Sequence, residues 1–146
     1  MENFPHYYKV KGYASQSSDI SLSEEGVPDI VSAPPAQFGG PGDKWSPESL
    51  LVASVSDCFI LSFRAISRAS KFYWESVQCT VEGVLDKHDK VVKFTGFKIN
   101  VLLTVRPDVS HDTANRLLKK AEHLCLITNS LSGETYLSTE IKEISE

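Results

Sequence analysis

The fold of this protein is decided by the stretch WSPESLLVASVSDCFILSFRAI, which runs from Trp45 to Ile66. Ser46 is a favourable N-cap, Pro47 suits the first helical position, and the carboxylate of Glu48 complements the positive end of the helix dipole. Apolar residues fill nearly every turn that follows. The stretch therefore predicts a long core helix that extends to about residue 70.

A helix that is apolar nearly all round has to be covered on every side. The chain offers only one other long helical pattern and a handful of strands, which is too little structure to cover such a helix in a monomer. We therefore expect a homodimer in which the central helices of two chains pack together.

Asp57 and Cys58 stand side by side in the apolar middle of this stretch. If the helix breaks near Val55 and restarts at Ser56, Cys58 lies in the first turn of a second helical piece. There the helix dipole lowers the pKa of a thiol, whereas the neighbouring Asp57 carboxylate raises it. Alternatively, Cys58 is a small core residue, and the segment by itself favours this interpretation.

Glu48 is the second acid of interest. Ten residues of unbroken helix would hold it about 15 Å from Cys58 along the helix axis. The two side chains can then cooperate only if the helix breaks or if two chains pair.

The composition is that of a soluble globular protein, with 41% hydrophobic and 23% charged residues. The length suits a single domain, residues 1–146. A net charge of -4 gives no electrostatic reason to expect a nucleic acid or an anionic membrane as a partner. The apolar run at residues 50–63 falls short of the roughly 20 residues of a membrane span. The N-terminus lacks a secretory signal, so we expect a cytoplasmic location.

Cysteine usage argues against a disulfide framework or a zinc ribbon, because the three cysteines are an odd number without a CxxC spacing. Cys79 lies in an alternating segment and is interpreted as a packing residue. Scattered histidines predict no metal site, and no GxxxxGK[ST] motif marks a phosphate-binding loop, so no cofactor is expected. The histidines are His6, His88, His111 and His123.

The remaining segments predict strands around two helices. Ser110 caps a second amphipathic helix that ends near Cys125, and a short helical piece follows at residues 126–131. The Pro- and Gly-rich segment 27–44 is predicted to be a loop. Alternating segments predict strands at residues 7–13, 20–22, 76–87, 91–106 and 135–144, with a turn at residues 88–90. This order of elements predicts one α+β domain.

Two motifs resemble the OsmC/Ohr family, the osmotically inducible protein C and organic hydroperoxide resistance proteins. Residues 46–59 carry the pattern S-P-E-S-L-L-x-A-S-x-S-D-C-F, in which a Pro-Glu pair precedes a reactive cysteine. The second helix ends in A-E-H-L-C, where the family carries its second cysteine. The resemblance covers most of the chain.

The resemblance implies an antioxidant thiol peroxidase of the oxidative stress response that reduces organic hydroperoxides. Cys58 would attack the peroxide and become a sulfenic acid, Cys125 would resolve it to a disulfide, and Glu48 would orient the site. A dithiol of the lipoyl type is the implied reductant. The implied fold is an intertwined homodimer with antiparallel sheets wrapped around central helices.

The chain departs from the family pattern in the cation that pairs with the glutamate. Family peroxidases carry an arginine near the N-terminus that pairs with the glutamate, whereas the first arginine here is Arg64. Lys9, Lys11, Lys44 or a downstream arginine are the candidate substitutes. Leu126 also stands after Cys125, where family members often have proline. These departures favour a second hypothesis, an OsmC-fold binding or structural homologue with an apolar pocket at the dimer interface and little peroxidase turnover.

Overall fold

The structure is a computed structural model that describes residues 1–145. The chain divides into two compact units, the first formed by Met1–Leu51 and the second beginning at Val52. Both units contain a three-stranded sheet. The predicted α+β class is confirmed.

The first unit contains strands β1 (Lys11–Tyr13), β2 (Ile20–Ser23) and β3 (Ile30–Ser32), paired antiparallel in the order β1-β2-β3. The strand β3 lies within the segment that was predicted to be a loop. Three residues are too few to show an alternating pattern, and the surrounding prolines and glycines hid the strand. Beyond it, the Ala33 N–H donates to the Trp45 carbonyl at 2.9 Å, which fixes the approach to the first long helix.

That helix, α1 (Pro47–Ala69), contains 23 residues. Its start is as predicted, because Ser46 Oγ accepts a hydrogen bond from the Ser49 N–H at 3.1 Å. The predicted break near Val55 is wrong. No glycine or proline occurs between Glu48 and the end of the helix. The Ser56 hydroxyl donates to the backbone carbonyl of Cys79 and therefore does not cap a new helix start.

The second unit contains a long hairpin of β4 (Ser76–His88) and β5 (Val91–Val105). Asp89 and Lys90 form its turn with φ angles of 48° and 69°, as two-residue hairpin turns require. Two predictions are thereby confirmed, the strands and the turn between them.

Helix α2 (His111–Leu124) connects β5 to the last strand, β6 (Glu134–Glu143). Ser110 caps α2 as predicted, since its side chain accepts from the Thr113 N–H at 3.2 Å. β6 pairs with β5 in parallel because the chain crosses back along α2 before it re-enters the sheet. The second sheet is therefore mixed, whereas wholly antiparallel sheets were expected.

The core of the second unit lies between this sheet and the two helices. Alternate residues of β5 are buried from Phe97 to Val105, as a sheet with one covered face requires. The buried apolar residues of α1 are Val55, Cys58, Phe59, Phe63 and Ile66, and those of α2 are Ala114, Leu117, Leu118 and Ala121.

By length and composition alone, α1 could also cross a membrane, although the apolar run at residues 50–63 appeared too short for that. The core helix of a soluble protein meets the same two criteria. In a single chain only 22% of the most apolar segment of α1 is buried. Most residues of this segment are half-buried or exposed in the single chain.

Gly83 allows α1 to lie close to β4. A Cβ atom at this position would stand 2.7 Å from Val52 Cγ2 and 2.9 Å from Phe94 Cε1. We predict that Gly83→Ala lowers the free energy of unfolding by about 1–3 kcal/mol, because stiff neighbours must shift to accept the methyl group. Urea denaturation measures this change.

Gly12→Ala is the matched control. Its new Cβ would meet only Leu22 Cδ2 at 3.6 Å, an ordinary contact, so its stability should stay close to that of the wild type. Equal stability of the Gly83→Ala variant and the wild type would contradict the close packing of α1 on β4.

Candidate functional site

Cys58 and Cys125 meet in the core of the second unit. Cys58 lies in the middle of α1, and Cys125 follows the last residue of α2. Both residues are buried, both are free thiols, and the Cys125 thiol raises the pKa of the Cys58 thiol. Residues 67 positions apart in sequence are thus brought into one site.

A tight turn formed by residues 125–130 positions the Cys125 thiol, and we call it the 125–130 turn. The Cys125 carbonyl accepts the Asn129 N–H at 3.0 Å and the Thr128 hydroxyl at 3.1 Å. The Ser130 hydroxyl donates to the Leu126 carbonyl at 2.8 Å. A short 3-10 helix, Thr128–Ser130, forms part of this turn, which confirms the helical piece predicted after Cys125.

Two further groups affect the pKa of the Cys58 thiol. The backbone of Ile127, within the 125–130 turn, and the side chain of Ser62 both lower it. Ser62 lies one helical turn after Cys58, at the i+4 position of the same face. Sequence reasoning missed both groups. The i+4 spacing of Ser62 was visible in the sequence, whereas nothing there indicated the Ile127 amide.

Burial raises the pKa of the Cys58 thiol above its ordinary value, and the adjacent Cys125 thiol raises it further. The donors of Ile127 and Ser62 lower this pKa, without cancelling the rise. The lowering of this pKa that was expected from a helix start is absent, because Cys58 lies three turns inside an unbroken helix. Asp57 is exposed, and it is not among the described groups that shift this pKa.

Glu48 lies in the first turn of α1 and belongs to the first unit. Its Oε2 atom is buried and has no hydrogen-bond partner among residues 1–145. Lys44, one candidate for the missing cation, instead forms ion pairs with Asp19 at 3.7 Å and Asp43 at 3.2 Å. Within the described part of the chain, Glu48 therefore has no cation, and its role in the site remains a prediction.

Cys79 is half-buried on β4, and burial raises the pKa of its thiol. Ser56 holds this part of the strand, because its hydroxyl donates to the Cys79 carbonyl at 2.7 Å. Cys125 also raises the pKa of Cys79, so all three thiols lie in the same region of the second unit. Residues 1–145 contain no group of three or more His, Cys, Asp or Glu side chains that could hold a metal ion.

Comparison with known proteins identifies the family. Residues 40–140 match the model of the OsmC-like protein family, so the chain belongs to this family of soluble proteins. The resemblance seen in the two sequence motifs is thereby confirmed.

Three relatives illustrate the range of this similarity. The uncharacterized protein YmaD of Bacillus subtilis is 25% identical over 138 residues, which are 92% of each chain. An OsmC-like protein of unknown function from Vibrio cholerae superposes with a TM-score of 0.81 at 19% identity, over 94% of this chain and 99% of the other. An organic hydroperoxide resistance protein OsmC from Legionella pneumophila superposes with a TM-score of 0.75 at 21% identity, over 96% and 99%.

The raised pKa of Cys58 gives a pH prediction. The thiolate is the form that iodoacetamide alkylates, so alkylation of Cys58 should rise with pH and reach its midpoint above that of a free cysteine peptide. Peptide mass spectrometry at a series of pH values measures this midpoint for Cys58 separately. In a Cys125→Ala variant the midpoint should fall, since both contributions of Cys125 raise the pKa of Cys58. A wild-type midpoint at or below that of the free peptide would contradict the buried, protonated thiol.

Proposed function

We propose that this protein is a thiol peroxidase that reduces organic hydroperoxides, with Cys58 as the attacking thiol and Cys125 as the resolving thiol. The observation that carries the proposal is that both thiols are buried in the second unit, where Cys125 acts on the pKa of Cys58. Membership in the OsmC-like family and the structural likeness to the Legionella hydroperoxide resistance protein also support it.

The first step takes place at the Cys58 sulfur. Its thiolate attacks the terminal oxygen of the hydroperoxide, the O–O bond breaks, and the other oxygen takes up a proton and leaves as the alcohol. Cys58 is oxidised to a sulfenic acid. Because only the thiolate is a nucleophile, the raised pKa of Cys58 makes this step faster as the pH rises.

The second thiol completes the cycle. Cys125 attacks the Cys58 sulfur, a disulfide forms, and the sulfenic oxygen leaves as water. A dithiol of the lipoyl type then reduces the disulfide by exchange and is itself oxidised to a cyclic disulfide. The proximity of Cys125 favours this route over further oxidation of Cys58, because the sulfenic acid meets a thiol before it meets a second peroxide.

Turnover of cumene hydroperoxide with dihydrolipoamide tests this function. We predict that Cys58→Ser reduces the rate to that of the uncatalysed reaction, because serine supplies no thiolate. Cys79→Ser is the matched control and should keep most of the rate, since Cys79 has no part in the proposed steps. Equal rates for the wild type and Cys58→Ser would overturn the assignment.

The second hypothesis, a binding homologue with little turnover, is favoured by Glu48 Oε2, which is buried and has no hydrogen-bond partner among residues 1–145. The intact mass after one equivalent of hydroperoxide separates the two functions. A peroxidase loses the two hydrogens of a disulfide that maps to Cys58 and Cys125. A binding protein keeps all three thiols.

We also propose that the protein acts in the cytoplasm as a homodimer in which a second copy covers α1. Only 22% of the most apolar segment of this helix is buried in one chain, and the Leu61 side chain is 52% exposed. In a dimer, side chains of the second chain would also be available as partners for Glu48. In this way its unpartnered oxygen could acquire a cation.

Sedimentation of two variants tests the dimer. Leu61→Glu should shift the protein toward the monomer, because a charge on the covered face of α1 would have to be desolvated. Val91→Glu is the control, since Val91 is 56% exposed but lies at the turn of the hairpin. A wild-type protein that sediments as a monomer at high concentration would contradict the proposal.

A further inference from the structure

Helix α2 ends at Cys125 without a left-handed residue. Cys125 is the C-cap, and its φ of −65° and ψ of 106° are those of an extended chain. Helices that end in a left-handed glycine or asparagine satisfy their last carbonyls through the N–H groups of the residues that follow. Because the chain is extended at this cap, the carbonyls at the end of α2 need further donors.

Three successive side chains supply these donors, and we call Thr128, Asn129 and Ser130 together the 128–130 clamp. The Thr128 hydroxyl donates to the Cys125 carbonyl at 3.1 Å. The Ser130 hydroxyl donates to the carbonyl of the next residue at 2.8 Å, and the Asn129 side-chain amide donates to the carbonyl two positions before Cys125 at 3.2 Å. The clamp therefore holds the chain before, at and after Cys125.

Thr128 differs from the other two members of the clamp in its burial. It is only 7% exposed, whereas Asn129 and Ser130 are exposed. A hydrogen bond at an exposed position competes with water, whereas a buried hydroxyl without a partner costs free energy. The Thr128 hydroxyl therefore keeps its bond to the Cys125 carbonyl, which also accepts the Asn129 N–H at 3.0 Å.

A fixed backbone at Cys125 restricts the position of its sulfur. Cysteine has a single side-chain torsion between backbone and sulfur, so a held backbone leaves about three staggered positions for the sulfur. Cys125 is 1% exposed, and the close packing of the core limits this choice further. The clamp thereby determines where the second thiol lies in the second unit.

We propose that the 128–130 clamp, and Thr128 in particular, positions the Cys125 thiol for its reaction with Cys58. The proposal rests on the peroxidase function, for which it names the residues that control the second step. In that step the Cys125 thiol and the sulfenic acid of Cys58 form a disulfide and release water. In the competing reaction a second hydroperoxide oxidises the sulfenic acid to a sulfinic acid and leaves as the alcohol. A thiol that is already held in place reacts faster, because no further ordering is needed, and the clamp therefore favours the disulfide.

Thr128→Val tests the clamp without any peroxide. The measurement is the equilibrium between the Cys58–Cys125 disulfide and the free thiols in glutathione buffers, followed by peptide mass spectrometry. Valine leaves no donor without a partner, and the Cys125 carbonyl keeps the Asn129 N–H, so the variant should fold. We expect the equilibrium to shift toward the thiols by about fivefold, from the loss of one buried hydrogen bond. Thr128→Ser keeps the hydroxyl and should restore the wild-type equilibrium.

Cumene hydroperoxide tests the clamp in the proposed reaction. In Thr128→Val, the hydroperoxide concentration that converts half of Cys58 to the sulfinic acid should fall by about fivefold, because resolution is slower. The rate of the first turnover should stay close to that of the wild type, since Cys58 is carried by α1 and not by the clamp. This separation of the two steps distinguishes a positioning role from a general loss of structure.

Thr135→Val is the matched control. It also removes a threonine hydroxyl from the second unit, but one that donates to Glu122 Oε2 at 3.0 Å and not to the clamped segment. Both measurements should stay at their wild-type values. Asn129→Ala removes the exposed bond of the clamp and should shift the equilibrium in the same direction by about twofold. It tests the clamp even where thermal unfolding shows that Thr128→Val does not fold.

An equal glutathione equilibrium in the wild type and Thr128→Val would overturn the positioning role. An equal shift in Thr135→Val, or a wild type that forms no disulfide between Cys58 and Cys125, would do the same. If the equilibrium shifts while the wild type reduces no hydroperoxide, the positioning role stands and the proposed function fails. If the wild type turns over and Thr128→Val forms sulfinic acid at the wild-type hydroperoxide concentration, the function stands and the positioning role fails.

Discussion

The packing of α1 against the second sheet is the constraint on which the site depends. This helix carries its apolar residues nearly all round, so its buried face has to meet both the sheet and α2. The absence of a side chain at Gly83 lets Val52 approach β4, and the Ser56 hydroxyl fixes the next turn of the helix to the Cys79 carbonyl. These two contacts set the depth and the rotation of α1. They thereby set the position of Cys58, which the same helix carries half a turn further on.

Local signals in the sequence predicted the elements that depend only on neighbouring residues. The cap at Ser110, the turn at Asp89 and Lys90 and the start of α1 at Ser46 all arise from contacts within a few positions of the chain. The strand β3, the parallel pairing of β6 and the continuity of α1 could not be predicted in the same way. Each depends on a partner that is distant in sequence, such as the carbonyl that accepts the Ser56 hydroxyl.

The same distinction between local and distant contacts applies to the site. Both thiols could be named from the spacing of two motifs, but the effect of Cys125 on the Cys58 pKa depends on the course of the chain through α2. The direction of the shift in the Cys58 pKa required coordinates, because burial, a neighbouring thiol and two donors act on one sulfur. Helix-dipole reasoning was wrong at this point, since it assumed a break that the packing of α1 on β4 removes.

Burial of Cys58 has two opposing consequences for a peroxidase. In the proposed cycle, it would disfavour the thiolate and slow the attack on peroxide, but it would also keep the sulfenic acid of Cys58 away from water. A cation at the sulfur would offset the first consequence, and it would have to be desolvated in the same core. Ile127 and Ser62 lower the pKa of Cys58 without burying a second charge, because an amide and a hydroxyl lose far less hydration than an ammonium or guanidinium group. In a chain whose first arginine is Arg64, the groups that lower the pKa of this buried thiol are thus uncharged.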